Sequence, residues 1–355
     1  MHIRNQRKGT ASVLICVLSV PLLFLLAFSV DYGYLLFVRT NLQRVADQAA
    51  IASVRELMPN QYGVQDLDAV RAKAREFVEL NLGNGFTVLD SEIEIGRYDP
   101  DTIYGDLEIL NSGTLDTVRI TLRRDDMANS SVSLYFARLF GNDDSGVAAI
   151  STAVLQRARY LAPGASVFPF ALEEKAWNKL AQGKSASIYG DGRIEDENGK
   201  NIPGNWGTVD LGPTSNSTHE LSTQIMEGLT QNDLDSLNGQ NVIPSSEYID
   251  GASTLNLNGD TGLSAGLQHA ISDVEGSMKV APIYKNTTGQ GGNLSFEIVG
   301  WGTIEIVDSG WNGSKNSYIE VRRSFTYDQN LLPNPDLSDT SNSIEGAFTS
   351  PVLVQ

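Results

Sequence analysis

The twenty residues from Ala11 to Val30 are apolar apart from Ser12, Ser19, Pro21 and Ser29. A helix of that length rises about 30 Å, the thickness of a bilayer's hydrocarbon layer. Lipid offers no hydrogen-bond partners, so a single span has to satisfy its own backbone and be helical. Pro21 removes one bond from that ladder and predicts a kink near the middle. Arg4, Arg7 and Lys8 precede the run and orient it, with the N-terminus cytoplasmic and the long C-terminal part exported. A removable secretory signal has a shorter core and a small-residue cleavage motif. This run instead continues into Asp31-Tyr32-Gly33-Tyr34, whose tyrosines suit the outer interface, so an uncleaved anchor is expected. Asp31 reads as an interfacial residue within reach of water.

The helix is predicted to continue beyond the bilayer. Leu35, Val38, Leu42, Val45, Ala49 and Ala52 recur at steps of three and four and mark one face, with polar residues mostly elsewhere. Ala46, Ala49, Ala50 and Ala52 are small enough for a close neighbour. This face suits two occupants equally, the chain's own folded part or a partner helix.

Of 355 residues, about 60 belong to this stalk, leaving room for one large or two ordinary domains. The net charge is −17, and without Arg4, Arg7 and Lys8 the remainder carries −20. So acidic a chain repels nucleic acid and anionic membrane surfaces, and its charge favours solubility. The single cysteine, Cys16, lies in the apolar run, so no disulfide forms within the exported part.

The periodicity predicts an α+β fold. A helix over 67–82 is followed by strands over 91–98, 102–110 and 116–123, a short helix over 132–140 and a strand over 147–155. Residues 64–160 thus form a small α+β domain in which two helices cover a sheet, with Tyr135, Phe136, Leu139 and Phe140 assigned to its core. Residues 165–331 read as a strand-rich domain with helices over 217–228 and 262–275 and a hairpin built from 294–307 and 317–327. The tail, 332–355, reads as extended or disordered.

No chemistry-bearing motif is complete. Gly183-Lys184-Ser185 ends like a phosphate loop, but Asn178 stands where that loop needs glycine. His219-Glu220 opens a zinc-protease pattern whose second ligand position is Thr223. With only His2, His219 and His269 in the chain, a multi-histidine site is excluded. Asp339-Thr340-Ser341-Asn342-Ser343 matches a metal-adhesion signature without the strand that should precede it. Acidic stretches at Asp191 to Asn198 and Asn256 to Asp260 are candidate calcium loops without the usual ligand spacing. No catalytic residue, cofactor or metal is expected.

The N-terminal motifs carry a family resemblance. Arg7-Lys8-Gly9-Thr10-Ala11, the apolar run, Asp31-Tyr32-Gly33, and then Arg39 to Ala50 (Arg-Thr-Asn-Leu-Gln-Arg-Val-Ala-Asp-Gln-Ala-Ala) resemble the start of TadE/TadG-like Flp (tight adherence) pilus-assembly proteins. The matching motif positions are Gly9, Asp31, Gly33, Arg39, Leu42, Gln43 and Asp47. Tyr135 to Gly141 and the small-residue strand after it extend the likeness to about residue 160. Prepilin-like relatives carry Glu five residues after the glycine, whereas this chain has Leu14, which fits a permanently anchored, TadG-like protein. The resemblance implies a bacterial inner-membrane protein, single-pass and non-enzymatic. It would divide into a basic N-terminus (1–9), a transmembrane helix (10–37) and an amphipathic helix (38–58) ahead of the exported regions. Its partners would be other pilus-assembly or envelope proteins, with scope for a helix-mediated oligomer. The alternatives are a tethered, carboxylate-dependent hydrolase of envelope polysaccharide or a Ca²⁺-dependent adhesin.

Overall fold

The computed structural model describes residues 8–99, 106–108, 114–213, 217–237, 249–251, 254–289, 294–313, 315–334 and 343–354. Helix α1 (Lys8–Val54) runs for 47 residues through Pro21, about 70 Å. A 3-10 turn (Arg55–Leu57) finishes it, and Met58 is extended, as the residue before a proline tends to be. The two halves of α1 have different surroundings. Large apolar side chains from Val13 to Val30 are 49–68% exposed, whereas Val45, Ala46, Ala49 and Ala50 are fully buried.

Helix α2 (Leu67–Leu82) is capped by Asp66, whose side chain accepts the N–H groups of Asp68 and Ala69, and it ends at Gly83 with φ +92°. Its Val70, Ala74 and Val78 lie four apart and are buried. An antiparallel sheet follows, built from β1 (Ile93–Asp99), β2 (Asp106–Glu108) and β3 (Thr117–Arg124). A two-strand neck, β4 (Val132–Ser133) with β5 (Asp144–Ser145), precedes β6 (Val147–Val154). Val118, Ile120 and Leu122 point from β3 to the helices, and Ala153, Ser151 and Ala149 lie opposite them on β6. These small residues let the second half of α1 lie close on the sheet. The face on Val38, Leu42, Val45, Ala46, Ala49 and Ala50, with Leu35 packed at its edge, is therefore covered by the chain's own sheet and by α2. Ala52 is half-buried.

The C-terminal part contains β7 (Ala158–Leu161), β8 (Phe170–Glu173), α3 (Glu174–Lys179), β9 (Ser185–Tyr189), β10 (Ile194–Asp196) and β11 (Trp206–Val209). Then come α4 (Thr218–Glu227), α5 (Gln231–Ser236), β12 (Ile249–Asp250), β13 (Leu255–Asp260) and α6 (Gln268–Asp273). The chain closes with β14 (Met278–Thr288), β15 (Leu294–Gly310), β16 (Tyr318–Arg323), β17 (Thr326–Tyr327), β18 (Leu331–Pro333), β19 (Ala347–Phe348) and β20 (Val352–Val354). Strand β15 pairs with both β13 and β14, which closes a small barrel in the order β15-β13-β11-β8-β14. Its far end carries β16, β9 and β10 as an extension. Apolar clusters lie on both faces of this sheet; Ala281 and Ile283 of β14 belong to one, Val280 and Tyr284 to the other. The architecture is α+β, with a long apolar N-terminal helix and a strand-rich C-terminal region.

Several elements differ from the pattern-based reading. The helix expected over 262–275 is a 3-10 turn (Ala265–Leu267) followed by the short α6. Of the strand expected over 102–110, only Asp106–Glu108 lies within the described residues. No helix spans 132–140: Val132–Ser133 pairs with Asp144–Ser145, and only Ala137–Phe140 is helical, as a 3-10 turn. The second helix covering the sheet is the outer half of α1 instead. Near the C-terminus, Phe348 joins the N-terminal core, and Val352–Val354 pairs with β6 to complete the sheet order β2-β1-β3-β6-β20.

Candidate functional site at the helix–loop junction

The junction between the exposed and buried halves of α1 is built around Asp31. Its side chain is only 4% exposed, although it follows a run of exposed apolar residues. Oδ1 accepts the backbone N–H of Tyr135 at 2.8 Å, and Oδ2 accepts those of Phe136 at 2.9 Å and Ala137 at 2.6 Å. These three amides lead into the Ala137–Phe140 turn, so the carboxylate caps that turn from another element. Asp31, read from the sequence as an interfacial residue within reach of water, is also an anchor for a loop 104 to 106 residues away.

The anchored loop forms the tip of the β4–β5 hairpin. Leu134 N–H donates to Asp143 O at 2.9 Å across its base, and Gly141 closes the turn in the left-handed region, φ +88°. The side chains assigned by pattern to a core are exposed: Tyr135 60%, Phe136 39%, Leu139 76% and Phe140 62%. Two of them touch α1. The Phe24 and Phe140 rings meet edge-on at 4.9 Å, and those of Tyr34 and Tyr135 at 5.5 Å. Phe24, Ala27 and Phe28 on the helix and Phe136, Ala137 and Phe140 on the loop line a mostly apolar groove of about 260 Å³, with Asp31 and Asn142 as its polar lining residues. Hydrophobicity indicates removal from water, not what replaces the water, which is why the pattern pointed to a protein core.

The other motif residues have separate places. Gln43 Nε2 donates to Asp47 Oδ1 at 2.8 Å and to Ile150 O at 2.9 Å, tying α1 to β6. Leu42 is buried in the core beneath them. Arg39 is exposed, and a Cβ at Gly33 would meet no atom within 4 Å. Gly9 and Lys8 lie in the first turn of α1, while Arg4 and Arg7 lie outside the described residues. Asp31 thus joins the N-terminal motif to the second family-like segment noted above, Tyr135 to Gly141.

The fragments that resembled chemistry have ordinary structural surroundings. Lys184, in the turn at Gly183, pairs with Glu197 at 2.6 Å. Arg193 lies between Asp191 and Glu195, at 3.5 and 3.7 Å, so cations offset much of the acidic loop. Asn256 to Asp260 is not a loop but lies in β13. His219 sits on α4, where Thr223 Oγ1 donates to its backbone carbonyl at 3.1 Å. Residues 339–342 lie outside the described residues. Among the described residues, no three His, Cys, Asp or Glu side chains gather in a way that could hold a metal.

Comparison with known proteins divides the N-terminal part in two. Residues 9–56 match the model for putative Flp pilus-assembly TadE/G-like proteins, which covers all of the described α1 from Gly9 onwards. Residues 60–153 match the model for putative Tad-like Flp pilus-assembly proteins, which covers α2, strands β1 to β5 and nearly all of β6 but not β20. No curated protein and no solved structure matches the chain.

Proposed function

We propose that the chain, which matches the TadE/G-like model over residues 9–56 and the Tad-like model over residues 60–153, is a membrane-anchored, non-enzymatic component of Flp/Tad-type pilus assembly or envelope adhesion. The observation that carries this reading is the division of α1. Its most apolar window has no fully buried residue, and the same helix then becomes part of the core of a folded domain. One rigid element therefore joins bilayer to domain, without a flexible linker between them.

In this reading the N-terminus is cytoplasmic and the barrel-bearing part lies beyond the inner membrane, periplasmic or extracellular. Partners meet the exported surface. The small-residue face at Ala46, Ala49 and Ala50 supports the domain itself, because it is fully buried there. The test is fractionation of a tagged full-length chain, with co-purification of the envelope proteins bound to it. The expected result is alkali-resistant membrane association that is lost when residues 11–30 are deleted, together with recovery of pilus-assembly components. Release of the intact chain into the soluble fraction would overturn the reading.

A further inference from the structure

We infer that the loop from Tyr135 to Asn142 is a second membrane-contacting element, seated in the interfacial layer of the leaflet facing the folded domain, with a phospholipid acyl chain in the groove against α1. The inference rests on the anchored reading of α1 and adds a lipid-binding surface to it.

Three observations point to lipid as the occupant. First, the loop's exposed apolar surface is continuous with that of the span. Phe140 packs on Phe24, six residues below Val30, which places it about 9 Å inside the end of the span. A folded domain rarely leaves four neighbouring bulky apolar residues in water, and here they border a helix segment that itself needs lipid. Second, the loop's backbone is prepared for a poorly hydrated setting. The N–H groups of Tyr135, Phe136 and Ala137 are taken by Asp31, and those of Leu139, Gly141 and Asn142 by carbonyls within the turn. Irregular backbone survives at membrane depth only when its polar groups are satisfied by protein. Third, the composition is that of an interfacial anchor. Tyr135 and Tyr34 meet edge-on near Asp31, and exposed Arg138 stands between apolar neighbours with a stem long enough to reach headgroup phosphate. The loop is thus held by a buried carboxylate at a fixed height on the span. This would set how deeply the domain sits on the bilayer and oppose tilting or rotation of the anchor.

The test places an environment-sensitive NBD fluorophore on single cysteines in the full-length chain carrying Cys16→Ala. The sites are Leu139→Cys in the loop, Leu18→Cys in the span and Met226→Cys on α4, which is 54% exposed. The proteins are reconstituted in phosphatidylethanolamine–phosphatidylglycerol vesicles, with or without phosphatidylcholine nitroxide-labelled near the top of its acyl chain. Blue-shifted emission at position 139, quenched by the labelled lipid and protected from aqueous iodide, is expected, with position 226 behaving oppositely. If position 18 is quenched by lipid but 139 is open to iodide, or shielded from iodide and lipid alike as in a protein contact, the loop inference fails and the anchor stands. If position 18 is not quenched by lipid, the anchor reading fails and takes the inference with it.

Discussion

Asp31 and Ala137 lie 106 residues apart in the chain, and the carboxylate Oδ2 of one accepts the backbone N–H of the other at 2.6 Å. With Tyr135 and Phe136 sharing the same carboxylate, the membrane-proximal end of α1 holds a loop by three charge-assisted bonds. In Asp31→Asn, one oxygen remains an acceptor and the other position becomes a donor that opposes the loop's N–H groups. Amide exchange at Tyr135, Phe136 and Ala137 should then speed up by roughly tenfold or more, while β3 is unaffected. Hydrogen exchange in detergent micelles measures both. Unchanged protection would show that the carboxylate does not hold the loop.

Ala49 is fully buried where α1 crosses the sheet. Ala49→Leu should cost about 1–3 kcal/mol by overpacking that contact. Gly33→Ala, with open space around its would-be Cβ, should be neutral or slightly stabilising, since alanine restricts the helix less unfavourably than glycine. Denaturant titration of the two variants separates a face committed to the domain's own core from one kept free for a partner.

The last strand offers a different kind of test. Truncation after Pro351 removes Val352–Val354 and leaves the edge of β6 from Thr152 to Val154 unpaired. An open strand edge invites pairing with other chains. Sedimentation should show concentration-dependent association, and limited proteolysis should cut the N-terminal sheet sooner while sparing the barrel. Identical behaviour of the two chains would assign β20 no protective role.

Lys279 is 5% exposed, and its Nζ donates to Ile225 O at 2.6 Å. Burial pushes its pKa below the ordinary 10.5, and Asp328 only partly opposes this. Between the lowered value and 10.5 the unfolded chain holds a proton that the folded chain has released, so this group makes stability rise with pH across that window. Below the window both states are protonated, and its contribution is constant. Lys279→Met should flatten this part of a melting-temperature profile whatever it does to the absolute stability. Parallel profiles would count against the assignment.

The hydropathy of residues 11–30 and the three-and-four spacing from Leu35 onward made α1 legible, because both are local properties of one helix. The Asp66 cap and Gly83 did the same for α2, and the alternation of Val118 to Leu122 did so for β3. The loop at 132–140 was misread for a physical reason. Val-Ser-Leu-Tyr-Phe-Ala-Arg-Leu-Phe has the composition of a buried helix, and nothing within it shows that Val132–Ser133 pairs with Asp144–Ser145 or that its aromatic residues lie against an apolar span.

By itself the sequence determined that a long apolar helix leads into an α+β protein, and which of that helix's faces would be buried. Side-chain chemistry and period suffice for this, since each residue's exposure to water is already implied by its neighbours three or four positions away. Only the tertiary structure decided what covers each apolar surface. The chain's own sheet covers Ala46, Ala49 and Ala50, β20 returns from the far end to flank β6, and Asp31 holds an exposed aromatic loop against the span. Those outcomes depend on contacts between residues far apart along the chain, and burial energy carries no label for the partner that supplies it.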